Sequence, residues 1–259
     1  MRKITEINGI KVHYEQESPA GGFQKTLVFL NGWEGSSSSW PENIKELAKK
    51  YNCIAIDFPG FGVSETPEEV WGVYEYARFV QDFVDTMRLE NVVLVGKSFG
   101  GRVSIAYAAT CSEASSCPLD RLILVAAAGI ESRGFLVHVK ILFFKTGKFV
   151  MGKLGKDMNN PFVQSLCRAF KLSIEKNTYR KQVKDMVLGQ NLAKVARKTM
   201  CPTLIIWGAD DEILPLKVGQ KLHKLIGPSI FKIVGSAGHN LNETHFAQFN
   251  TLVEDFVAD

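Results

Sequence analysis

The string Gly96-Lys97-Ser98-Phe99-Gly100 is the sharpest chemical signal in the chain. It follows the apolar run Val92-Val93-Leu94-Val95 directly and leads straight into a helical run, Gly101 to Ala109. A strand that turns abruptly into a helix forces the residue between them into a strained conformation, and small flanking residues relieve the clashes. The serine is thereby lifted to the carboxyl end of a strand, beside a helix N-terminus whose amides favour negative charge. A serine hydroxyl is a poor nucleophile at neutral pH without a base in hydrogen-bond reach, and the base needs a carboxylate to orient it. The chain has five histidines. His13, on an edge-like strand, His223, in a helix, and His245, at a helix start, read as surface or packing residues. His138 falls in a basic segment where it could line a pocket, and His239 follows a glycine in a late loop. Two adjacent acids, Asp210 and Asp211, stand just after another apolar run.

Such residues need a scaffold that brings distant segments to one edge. Thr26 to Leu30, Cys53 to Ile56 and Val92 to Val95 are short, continuous apolar runs, the pattern of strands buried on both faces of a parallel sheet. Leu122 to Ala126, Thr203 to Trp207 and Ile230 to Val234 add three more. Ile10 to Tyr14 alternates like a half-buried strand, with Lys3 to Ile7 as its hairpin partner across Asn8-Gly9. Between the strands lie helical spacings: Ile44, Leu47, Ala48 and Tyr51, then Val73, Tyr76, Ala77, Val80, Val84 and Met87. Phe246, Phe249, Val253 and Phe256 predict a closing helix. Strand–helix alternation with buried strands predicts a doubly wound α/β sheet.

With these elements in view, the chain resembles the α/β-hydrolase superfamily, specifically its cap-bearing Ser-His-Asp esterase-like branch. Besides the serine turn, four segments carry the resemblance. Leu30-Asn31-Gly32-Trp33-Glu34-Gly35 is similar to the family's HGxxG segment, with Asn31 in place of histidine. Asp57-Phe58-Pro59-Gly60-Phe61-Gly62-Val63-Ser64 resembles its D-x-P-G-x-G-x-S turn. Gly208-Ala209-Asp210-Asp211-Glu212-Ile213-Leu214-Pro215 resembles the segment bearing the triad acid, and Gly238-His239 the loop bearing the triad histidine. The resemblance implies an α/β-hydrolase fold with a mostly parallel sheet and an inserted helical cap. It implies a triad of Ser98, Asp211 and His239, in the chain order of that fold. The four-residue offset to Pro215 selects Asp211 over Asp210. The resemblance also implies an oxyanion hole from the backbone amides of Trp33 and Phe99. Lys97 reads as structural, a cap carboxylate being one partner open to it.

The 259 residues suggest one large domain, or one domain with a sizeable insertion. Charge locates the insertion. Residues 131–200 hold 15 Lys/Arg against 4 Asp/Glu, while the rest of the chain is net acidic. We therefore expect a core domain of 1–130 and 198–259 and a helical cap of 131–197. The cap is rich in phenylalanines such as Phe135, Phe143 and Phe162, and in lysines such as Lys145, Lys148 and Lys153. Its charge fits a solvated face or an anionic partner. Nucleic acid is not expected, since no recognisable binding module accompanies the basic residues. The longest apolar run, Leu122 to Ile130, is too short to span a bilayer, and no hydrophobic stretch follows the basic start. Five scattered cysteines predict neither a disulfide framework nor a zinc site and fit a reducing cytoplasm. Cys111 and Cys117 could meet locally but are expected as free thiols.

The expected activity is hydrolysis of a carboxylic ester or related small acyl substrate through an acyl-enzyme, without cofactor or metal; an anionic or carrier-bound substrate is one reading of the basic segment, a solvated face the other. A carbon–carbon bond hydrolase with the same triad and a hydrolase-like receptor with slight turnover are the rival readings.

Overall fold

The computed structural model describes residues 2–33, 35–130 and 177–258. Eight strands form one sheet: β1 (Arg2–Ile7), β2 (Ile10–Glu17), β3 (Thr26–Leu30), β4 (Asn52–Ile56), β5 (Val92–Lys97), β6 (Leu119–Val125), β7 (Thr203–Gly208) and β8 (Ser229–Val234). Their spatial order is β1-β2-β4-β3-β5-β6-β7-β8. The first two pairings, β1 with β2 and β2 with β4, are antiparallel; all others are parallel. The hairpin turns at Asn8 and Gly9, as the dipeptide predicts. Strands β3, β4, β5 and β7 are buried along their whole length, which is why they read as unbroken apolar runs.

Two apolar layers sandwich the sheet. On one face lie α2 (Val73–Thr86) and α3 (Phe99–Glu113), with α6 (Leu216–Leu225) beside them. On the other lie α1 (Pro41–Leu47) and α8 (Phe246–Ala258), where Trp40, Phe249 and Val253 meet the reverse side of β3, β4 and β5. Helix α2 buries Val73, Tyr76, Ala77, Val80 and Val84, the positions its spacing selects.

The chain runs from β3 to β4 on one side and from β4 across to β5 on the other side of β3. The strand order therefore reverses at β3, and the loops after β3 and β5 lead to helices on opposite faces of the sheet. Ligands of open α/β sheets bind at such switch points, at the carboxyl edge.

Residues 131–176, which carry His138 and the cap phenylalanines and lysines named above, lie outside the described residues. The return to the core begins with a helix over 177–188, α4, followed by α5 (Ala193–Ala196). Arg102 in α3 fastens this return. Its Nη1 donates to the carbonyls of Val187 (2.6 Å) and Gln190 (2.7 Å), at and just past the end of α4. Leu192 N–H donates to Gly129 O at 2.7 Å, joining the returning chain to the segment that leaves β6. On α4, Tyr179 and Tyr76 share a hydrogen bond of 3.2 Å, and Tyr76 also donates to Pro59 O.

The cysteines correct one expectation. Cys111 and Cys117 are joined in a disulfide, with Cα atoms 5.3 Å apart. The reversal from the end of α3 into β6 brings the two residues within bonding range. Sequence shows that the two could meet but not that they bond, because no fixed spacing marks a helix-to-strand reversal. Cysteine usage is therefore no argument for a reducing compartment. Cys53 and Cys201 are free. Among the described residues, no helix is long and apolar enough to cross a membrane.

Candidate active site

Ser98 sits between β5 and α3 with φ 50° and ψ −109°, a conformation that residues bearing a side chain rarely adopt. The surroundings impose it. A Cβ on Gly96 would lie 2.3 Å from Ser104 Oγ, and one on Gly100 would lie 2.3 Å from the carbonyl oxygen of Leu30 in β3. Both glycines are thus required by close approach, the second because α3 begins hard against the neighbouring strand. The Ser98 carbonyl accepts N–H bonds from Arg102 (3.1 Å) and Ala128 (3.0 Å), and its own N–H donates to Val125 O. The turn is held from both sides.

The loop after β3 meets it. Gly100 N–H donates to Asn31 O at 3.0 Å, and a Cβ on Gly32 would lie 3.4 Å from Ser98 Cβ. Asn31, which stands where the family pattern has histidine, is buried. Its amide group donates to Ile56 O (2.7 Å) and accepts from Trp40 Nε1 (2.6 Å), so it ties the loop to the end of β4 and to the start of α1. Trp33 follows in this loop. Phe99 opens α3, where first-turn amides have no intrahelical partner. The two rings meet edge to face at 5.3 Å, and both contact Phe61 from the Asp57–Ser64 turn. They form one aromatic wall.

Asp211 and His239 come together after β7 and β8. His239 Nδ1 lies 2.8 Å from Asp211 Oδ2, and the carboxylate is fully buried. The other oxygen, Oδ1, accepts the backbone N–H groups of Ile213 (2.9 Å) and Leu214 (2.8 Å). Two backbone donors thus hold the carboxylate in one orientation, with Oδ2 left for the imidazole. Asp210, the alternative acid, is exposed and only its backbone N–H is engaged, to Ala237 O. The other described histidines are placed elsewhere: His223 bonds Ser229 and stacks on Phe231, and His245 bonds Thr244. His13 lies in the antiparallel part of the sheet, on β2. Among the described residues, no group of three or more His, Cys, Asp or Glu is arranged to hold a metal ion.

Three contacts escape the sequence reading. Lys97 pairs with Glu243, Nζ to Oε1 at 3.0 Å, in the short helix α7 (Leu241–Thr244) just past His239. On α4, Arg180 lies over the ring of Phe61 (5.3 Å) and Lys184 over that of Trp33 (5.9 Å). Their i, i+4 spacing places both on one helix face, a signal the sequence did carry.

A mostly parallel eight-stranded sheet, with a strained serine turn at its carboxyl edge and an Asp–His pair on later strand ends, defines the α/β-hydrolase class of fold. The chain belongs to the alpha/beta hydrolase fold family, whose sequence profile matches residues 25–177. It is 26% identical to the uncharacterized hydrolase YugF of Bacillus subtilis, over 99% of this chain and 97% of that one. It is also 26% identical to a 2-hydroxy-6-oxononadienedioate/2-hydroxy-6-oxononatrienedioate hydrolase of Paraburkholderia phymatum, over 96% of this chain and 91% of that one. Among solved structures, the enol-lactonase of Burkholderia xenovorans matches its fold with a TM-score of 0.76 at 21% identity, covering 99% of this chain and 100% of the other.

Proposed function

We propose that the protein is a serine hydrolase that cleaves a carboxylic ester or a related acyl compound through an acyl-enzyme. The observation that carries this reading is the buried, triply bonded Asp211 carboxylate on His239 Nδ1, set at the same sheet edge as Ser98. With Nδ1–H held by Asp211, Nε2 is left with its lone pair and accepts the Ser98 hydroxyl proton as Oγ attacks the acyl carbon. The negative charge that develops on the carbonyl oxygen falls to the backbone N–H groups of Trp33 and Phe99. The imidazolium then protonates the leaving group, and a water activated by the same imidazole releases the acid. None of these steps requires a cofactor.

We further propose that residues 131–197 form the cap over this site. The net positive charge of residues 131–200 supports a substrate with a negative charge on its acyl side, free or presented by an acidic carrier. A carbon–carbon bond hydrolase is the second reading. The Paraburkholderia phymatum relative supports it, and the same positive charge would suit its carboxylates.

A fluorophosphonate probe should label Ser98, and Ser98→Ala should lose both label and turnover; labelling confined to another serine refutes the assignment. A panel of esters and a vinylogous 1,5-diketone acid then separates the two chemistries by which substrate is consumed. If anionic acyl groups are preferred, kcat/KM for an anionic ester should fall steeply with salt while that of a neutral ester of equal size stays level. Reversing Lys145, Lys148 and Lys153 to Glu should flatten the difference. Equal salt responses would remove the charge from the substrate reading.

A further inference from the structure

Lys97 ends strand β5, a strand otherwise made of apolar residues and glycine, and stands immediately before Ser98. Its side chain is only 8% exposed, so an apolar residue would fill the place at less cost. What the ammonium adds is a bond. Nζ reaches Glu243 Oε1 at 3.0 Å, and Glu243 lies four residues past His239. The lysine stem also passes beneath the loop after β3: a Cβ on Gly32 would stand 3.9 Å from Lys97 Cγ. One side chain therefore meets the serine turn, the Gly32–Trp33 loop and, through its ion pair, the segment that bears the histidine. A buried ammonium is costly unless paired, so Lys97 holds Glu243 firmly; Glu243, 45% exposed, has water as an alternative and does not need Lys97 in return. That asymmetry makes the lysine the anchor and the histidine segment the part that is held.

We propose that the Lys97–Glu243 ion pair is a positioning device that ties the His239 segment to the serine turn and so sets the reach of the imidazole towards Ser98 Oγ. The proposal rests on the triad reading above. Neither residue touches the reacting atoms. Among the described residues, the charged groups at this edge include Asp210 and Asp211 from the loop after β7, Lys97 from β5, Glu243 from α7, and Arg180 and Lys184 from α4. The pair is neutral as a whole, and removing one member leaves the other's charge uncompensated. Loss of Glu243 then disfavours the imidazolium and loss of Lys97 favours it.

The test compares wild type with Glu243→Gln, Lys97→Met, Lys97→Arg and the double variant Lys97→Met/Glu243→Gln. The readouts are kcat and KM on a small neutral ester, the rate of fluorophosphonate labelling at Ser98, the acid limb of kcat/KM, and Tm. Displacing a general base by about 1 Å costs up to ~100-fold, so each single variant should lose about 10- to 100-fold in kcat and in labelling rate. KM should stay within about twofold, as expected when only transition-state interactions are lost. The acid limb should move to lower pH in Glu243→Gln and to higher pH in Lys97→Met. The double variant should be no worse than the poorer single one, and Lys97→Arg should recover most of the rate. Glu243→Gln is isosteric and half exposed, so it decides the matter even where Lys97→Met does not fold. Wild-type labelling and an unmoved acid limb in Glu243→Gln overturn the proposal, as does a loss confined to Tm. Should wild type itself show no label on Ser98, the triad reading fails and the proposal falls with it; labelling of wild type and Glu243→Gln at equal rates sinks the ion pair alone.

Discussion

Replacing Asp211 by Asn changes one atom, and the surrounding hydrogen bonds dictate the consequence. Two backbone N–H groups, from Ile213 and Leu214, point at Oδ1. The Asn amide must place its oxygen there, because its NH2 would face two donors. The NH2 is then turned to His239 Nδ1, which lay 2.8 Å from Oδ2. To accept from it, Nδ1 must lose its proton, and the proton moves to Nε2. The imidazole would present a donor to Ser98 where an acceptor is required. All three hydrogen bonds survive, so stability should change by no more than about 1 kcal/mol, yet the base is in the wrong tautomer. In the serine protease triad this exchange costs about 10⁴ in kcat, equivalent to about 5 kcal/mol of barrier. Steady-state ester hydrolysis with a thermal melt measures both quantities. Asp210→Asn is the control and should stay near wild type, since that side chain is exposed. Asp211→Ala should differ again: it strands two buried N–H groups and should cost about 2 kcal/mol or more in stability. An Asp211→Asn enzyme within tenfold of wild type would refute the tautomer argument, and Asp210→Asn as the crippled variant would refute the choice of acid.

Gly100→Ala would drive a methyl into the Leu30 carbonyl at 2.3 Å; the overpacking should cost about 3 kcal/mol and lower Tm by about 10 °C, and a change under 2 °C would contradict the close approach. Reducing the Cys111–Cys117 bond should cost about 2 kcal/mol, the loop being short, and should show as a lower Tm with reductant; alkylation of both thiols in unfolded, unreduced protein would show that the bond does not form. Burial pushes the Cys201 thiol up to about 11. It is thus neutral at pH 8, and its iodoacetamide rate should climb about tenfold per pH unit from pH 8 to 10; a plateau below pH 9 would contradict this.

What was legible in the sequence was whatever depends on neighbours in the chain. The hairpin followed from Asn8-Gly9, the buried strands from unbroken apolar runs, and the serine turn from two glycines at fixed offsets from Ser98. The offset of Asp211 from Pro215 picked out the acid that the structure bonds to His239. The partner of Lys97 was not legible: Glu243 is 146 positions away, and only the meeting of β5 with α7 in three dimensions joins them. The same holds for Asn31, whose substitution for histidine reads as a loss until Ile56 O and Trp40 Nε1 are seen on its amide. The Cys111–Cys117 bond is close in sequence but depends on how a helix turns back into a strand, which spacing does not encode.

The bond from Leu192 N–H to Gly129 O, with Arg102 gripping Val187 and Gln190, has a consequence for how this fold diversifies. The chain leaves the core and re-enters it at what is mechanically one point, closed by the core's own residues. Whatever is threaded between those two feet adds only a slowly growing loop-closure entropy, about 0.6 kcal/mol for each doubling of its length. The insert can therefore be lengthened, shortened or exchanged while Ser98, Asp211 and His239 keep their places. Selection can act on such an insert as on an interchangeable part, and grafting a foreign segment between residues 130 and 187 is the corresponding engineering route.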